Sequence, residues 1–220
     1  MNITEPVTFA TDLLISGFSC FFLLRLLSKY RAAHSLSVLF WALGFCSLAA
    51  SALMGAVFHG SGYWFEQSLR DAIWMVTLVT MIAMSTFLLS AVAFNALEGR
   101  YKTVALSLII VKAVVVLIWI LNDTRFVIAI YDYGSSMACI AIMAILRLRG
   151  SWKKPGRWIL SAIALSIVGS VIQIMKLAPH PHFNHNDVFH LIQLAGNWLF
   201  YRAALVSDDR REMSNVDNQL

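Results

Sequence analysis

Seven stretches of the chain stay apolar for about 20 residues each, with short polar connectors between them. They cover residues 8–27, 36–58, 72–97, 104–121, 126–146, 158–177 and 188–205. A helix rises about 1.5 Å per residue, so roughly 20 residues cross the ~30 Å hydrocarbon core of a bilayer. The pattern predicts an all-α integral membrane protein, a bundle of seven transmembrane helices. Residues 1–207 then form one membrane domain, and the polar residues 208–220 a cytoplasmic tail too poor in apolar side chains to pack. The first stretch reads as a retained helix and not a secretory signal, because Glu5 and no Lys or Arg precedes it.

Composition strengthens this picture. Of 220 residues, 59% are hydrophobic and only 13% charged, and the mean hydropathy is +0.71, far from the balance of a soluble domain. The net charge of +5 is a topology signal. Arg25, Lys29, Arg31, Arg100, Lys102, Arg147, Arg149, Lys153, Lys154, Arg157, Arg202, Arg210 and Arg211 fall on one side of the predicted membrane, against Arg70, Arg125 and Lys176 on the other. Short loops rich in Lys and Arg stay in the cytoplasm, so the amino terminus faces out and the carboxyl terminus faces in. Anionic lipid headgroups are the expected counterpart of these cations, and no basic patch interleaved with aromatics points to nucleic acid. Cys20, Cys46 and Cys139 lie inside predicted spans without CxxC spacing and read as buried small hydrophobes. The compact chain fits a bacterial inner membrane with its outer side facing the periplasm; an endoplasmic reticulum membrane would keep the same topology.

Candidate chemistry collects at the outer side. His59 closes the second stretch, Asp71 opens the third, and His182, His185, Asp187 and His190 crowd the start of the seventh. Pro179 and Pro181 are expected to break the sixth helix, and Asn184 or Asn186 to cap the seventh. Ionisable side chains within a bilayer are expensive and usually face a site or cavity. Imidazole and carboxylate at one depth are the groups of a zinc site that keeps a position open for water. A helix-end His is also an ordinary interfacial hydrogen-bonding residue, so the weight rests on the joint arrangement.

Seven spans, a His closing the second, an Asp opening the third and a His-rich start to the seventh resemble the alkaline ceramidase, progestin and adiponectin receptor superfamily. Its members are membrane hydrolases with an intramembrane zinc held by one His of the second helix and two of an HxxxH in the seventh. The resemblance implies zinc at His59 and His190, Asp71 orienting the attacking water and moving its proton, and a lipid amide or ester as substrate. The residue four before His190 is Asn186, not His, and the nearest imidazole is His185, five before. Five residues turn a regular helix by roughly 140°, so His185 completes the set only if the first turn of the seventh helix is irregular. Where relatives carry a Ser one turn before the second-helix His, this chain has Gly55, which leaves Ser51, a turn further down, as the hydroxyl to serve instead.

Two other function classes stay open on the sequence. One is a receptor or sensor whose outer histidines bind without turnover. The other is a small transporter using Lys112 and Asp132, which sit at similar depth in the fourth and fifth stretches and read first as a structural ion pair flanked by Tyr131 and Tyr133.

Overall fold

The computed structural model describes residues 3–62, 64–148, 153–180 and 183–207. Pro181, His182, Trp152 and the 208–220 tail lie outside them. The described residues form seven helices: α1 (Pro6–Ala33), α2 (Leu36–Gly60), α3 (Gln67–Ala96), α4 (Gly99–Asn122), α5 (Phe126–Leu146), α6 (Lys153–Ile174) and α7 (His185–Val206). Six of them, α1 to α6, are long and apolar enough to cross a membrane. α7 matches α6 in length at 22 residues. Its Asn186, Asp187, His190, Gln193, Asn197 and Arg202 lower its hydropathy and keep it out of that set.

Local chemistry sets the helix ends. Pro6 opens α1, where its missing N–H costs nothing. His34 closes α1 in the left-handed region, and Ser35 caps α2 by accepting from Val38 N at 3.3 Å. Gly99, at φ 52°, turns the chain from α3 into α4. The end of α6 differs from expectation. Lys176 takes φ 52°, and the Leu177 N–H donates to Ile172 O at 3.1 Å. This Schellman turn finishes the helix ahead of Pro179, so carbonyl pairing and not proline stops it.

Packing runs α1–α2–α3–α5–α6–α7 and back to α1, with α4 outside the ring against α3 and α5. At the end where α2 starts, the ring is filled by Phe22, Val38, Trp41, Phe45, Leu88, Val92, Ile140, Ile159 and Phe200. Phe22 stacks on Tyr201 at 4.4 Å and meets Phe45 edge-on at 5.3 Å. Small residues let the helices close: a Cβ added at Gly44 would stand 2.8 Å from Leu88 Cδ2. Lys29 donates to the carbonyls of Ala204, Leu205 and Ser207 and so satisfies the last turn of α7 from α1.

Two expectations change here. Cys20, Cys46 and Cys139 are exposed on the outer surface of the bundle, not buried. Where core and lipid faces are equally apolar, hydrophobicity does not tell them apart. The pairing of Lys112 with Asp132 is present: Lys112 Nζ donates to Asp132 Oδ1 at 2.5 Å and to Ser136 Oγ at 2.8 Å, and Ser85 donates to the other carboxylate oxygen. The tyrosines take no part in it. Tyr131 is exposed, and Tyr133 Oη meets Ser166 and Gln193.

Candidate functional site

The half of the ring where α1 begins is built differently. Along α1 the buried positions Thr8, Thr11, Asp12, Ile15, Ser16 and Ser19 recur at helical spacing, so a polar stripe faces inward. It borders a cavity of about 300 Å³ enclosed by α1, α2, α3, α5, α6 and α7. Asp12, His59 and His190 line it, along with Ser51, Gly55, Thr77, Tyr133, Gln173, Asn186 and Gln193, and apolar side chains such as Met81 and Phe189 complete it.

His190 is held on both sides by α1. Its Nδ1 lies 2.9 Å from Thr11 Oγ1, and its Nε2 lies 3.6 Å from Asp12 Oδ1. Thr11 Oγ1 also lies 3.0 Å from Thr8 O, so the hydroxyl bridges its own helix and the imidazole. The contact at Nδ1 fixes the ring's orientation and turns Nε2 toward Asp12 and the cavity. His59, in the last turn of α2, has Nδ1 3.2 Å from Glu5 Oε2. The pair is close enough to attract, and among the described residues this nitrogen has no hydrogen-bond partner.

α7 reaches the cavity in fixed register. Asn184 and Asp187 form a capping box, with the Asn184 side chain accepting from Asn186 N at 2.7 Å and Asp187 Oδ2 accepting from Asn184 N at 2.7 Å. Thr8 Oγ1 donates to Asp187 Oδ1 at 2.9 Å and ties α1 to this cap. Replacing Asp187 with Ala removes the box and leaves Thr8 buried without its acceptor. Unfolding in detergent is expected to become easier by about 2 to 3 kcal/mol, measured as a lowered thermal midpoint.

The sequence-based candidates divide. His59, His190 and Ser51 line the cavity; Ser51 Oγ donates to Thr77 O at 3.2 Å. His185 does not line it. The cap is Asn184, so α7 is regular from His185 onward, and His185 is turned away from the His190 face that Asn186 shares. Asn186 lines the cavity in its place and accepts from Gln173 Nε2 at 2.6 Å. Asp71 is exposed, accepts from Gln67 Nε2 at 2.7 Å and lies a turn beyond Trp74, outside the lining. The carboxylate that does line the cavity is Asp12. The polar stripe on α1 was the signal for it, since polar residues inside a span mark the inward face.

A three-imidazole zinc set is therefore not assembled. Among the described residues no three His, Cys, Asp or Glu side chains are gathered closely enough to enclose an ion as they stand. His59 and His190 are the two imidazoles that line the cavity, and imidazole is a donor that zinc takes.

Fold and site together define a polytopic helical membrane protein with a polar, imidazole-lined cavity in one half of its bundle. Residues 7–209 match a family of unknown function, DUF6962, and the chain belongs to it. Among curated proteins no relative matches the chain.

Proposed function

We propose that this chain is a seven-span membrane hydrolase that cleaves an amide or ester bond of a lipid, with zinc held at the cavity by His59 and His190. The observation that carries the reading is the convergence of two imidazoles and a buried carboxylate, from α1, α2 and α7, on one cavity inside a membrane bundle. Such groups are kept in that setting for function. When bound, zinc polarises a carbonyl and makes water nucleophilic at neutral pH.

The chain's own residues handle the rest. Thr11 holds the His190 ring with Nε2 turned inward. Gln173, Asn186, Gln193 and Tyr133 offer amide and hydroxyl groups to the polar end of a substrate. A second, largely apolar pocket of about 270 Å³ between α5 and α6 also touches Tyr133, which supports lateral entry of a lipid chain from the bilayer. The Lys and Arg distribution supports α7 as the seventh span, with the amino terminus and the cavity on the outer side; in a bacterial inner membrane, the location the compact chain suggests, that side is the periplasm.

The test is hydrolysis by the purified protein of a panel of lipid amides and esters, read as released fatty acid by mass spectrometry. Turnover that disappears in His59→Ala is expected; a well-folded, zinc-loaded protein that turns over none of them refutes the reading. Asn186 in place of an imidazole favours a second reading, a receptor that binds the same lipids without cleaving them. Saturable lipid binding with no product would support it.

A further inference from the structure

At the opposite end of the bundle from the cavity, α6 begins beside the end of α7, and a cation is held between them. The guanidinium carbon of Arg202 stands 4.9 Å from the centre of the Trp158 ring and 5.1 Å from that of Trp198. The two indoles, one from each helix, meet edge to face at 6.0 Å. Ring faces attract a cation, but they leave the N–H donors of a guanidinium without oxygen acceptors. Among the described residues Arg125 and Arg147 pair with acids, whereas Arg202 meets no carboxylate and no other acceptor. Lys154 adds charge close by: it is exposed and stands one turn before Trp158 on the same face of α6.

The surface leading away from Arg202 is apolar. On α7, Leu191, Ala195 and Trp198 are exposed and lie with Arg202 at spacings of four, three and four residues, which is one face of a helix. On α6, Leu165 and Val168 continue the face that Trp158 starts. Close packing keeps the two rows side by side, since a Cβ added at Gly169 would stand 3.2 Å from Phe189 and one at Gly196 would stand 3.6 Å from the Ala162 carbonyl. α6 is long and apolar enough to cross a membrane, so the seam runs from a cationic, indole-lined end toward the hydrocarbon.

We infer that this seam binds an anionic phospholipid, with its phosphate on Arg202, Lys154 beside it, and one acyl chain along Ala195 and Leu191. A phosphate supplies the paired oxygens that a guanidinium edge matches. A choline headgroup would bring its own cation to an end that is already positive, which disfavours a zwitterionic lipid. Free phosphate would gain the charge contact alone, whereas a lipid also covers the apolar row. The site shares no residue with the cavity and stands apart from the hydrolase reading.

The experiment is native mass spectrometry of the full chain released from detergent, after equal amounts of phosphatidylglycerol and phosphatidylcholine of the same acyl length have been offered. The wild type is expected to retain phosphatidylglycerol over phosphatidylcholine by about tenfold, and Arg202→Gln to bring that preference to within about twofold. Lys102→Gln, which removes a cation near the start of α4 at the same end of the bundle, is expected to leave the preference as it was. Ala195→Trp changes an exposed residue and keeps every cation. By filling the acyl row it is expected to lower phosphatidylglycerol retention severalfold, and it carries the test if Arg202→Gln fails size-exclusion and circular dichroism controls. Equal retention of the two lipids by the wild type, or unchanged retention in a folded Arg202→Gln or Ala195→Trp, overturns the site. An equal loss in Lys102→Gln reduces it to general surface charge and overturns it as well. Displacement of the lipid by an equal concentration of inorganic phosphate leaves a bare anion site and overturns the lipid as its occupant.

Discussion

Lys112→Met is expected to lower the thermal stability of the detergent-purified protein more than any other single side-chain truncation outside the cavity. Asp132 is 3% exposed, and Lys112 donates to its carboxylate, its backbone carbonyl and the neighbouring Ser136. Removing the cation leaves an uncompensated buried charge, a change that typically costs about 3–5 kcal/mol. α4 also depends on this lysine for its place, since little of the helix is buried, Ile109 and Ile120 being its buried residues. Adding Asp132→Asn to Lys112→Met removes the stranded charge and is expected to recover most of the loss. If the single variant unfolds like the wild type, the pair is not what fastens α4 to α5. A transport role for the pair predicts the opposite signature, lost transport with stability unchanged.

On the hydrolase reading proposed above, His190→Ala is expected to reduce lipid hydrolysis by about a thousandfold or more, since several kcal/mol of transition-state stabilisation would depend on the metal it would help hold. Thr11→Val keeps the shape of Thr11 but takes away the hydroxyl that hydrogen-bonds His190 Nδ1. A loss of about 10- to 100-fold in metal affinity is expected there, the usual effect of releasing a ligand's supporting partner. Asp71→Asn, changed at an exposed residue bonded to Gln67, is expected to leave both rate and metal affinity within twofold of the wild type. A drop in that variant comparable to His190→Ala would return Asp71 to the chemistry. Measured side by side, zinc titration and initial rates separate a fault in binding the metal from a fault in using it.

Helix number and approximate bounds were readable from the pattern alone, because spanning a bilayer demands long apolar runs and short polar connectors. The depth of the polar residues was readable too: His59, Ser51 and His190 come out in one half of the bundle and share one cavity. Rotation about each helix axis was not. Asp71 and Asp12 both sit near the same end of the bundle, and only packing shows that α1 turns Asp12 inward while Asp71 stays at the rim. The cysteines were misplaced for the same reason. Of the two caps that the sequence allows, packing uses Asn184 and not Asn186, with consequences for function: α7 starts regular and His185 leaves the His190 face.

By itself, the sequence determined that this protein is a helical membrane bundle with its ionisable groups gathered toward one end, since length, hydropathy and helical rise are local properties of the chain. The tertiary structure alone decided which of those groups meet. That choice depends on how neighbouring helices are rotated and how closely they approach, as at Gly55 beneath Asp12. Both are set by contacts between residues far apart in the chain: Thr8 with Asp187, Thr11 with His190, Lys112 with Asp132.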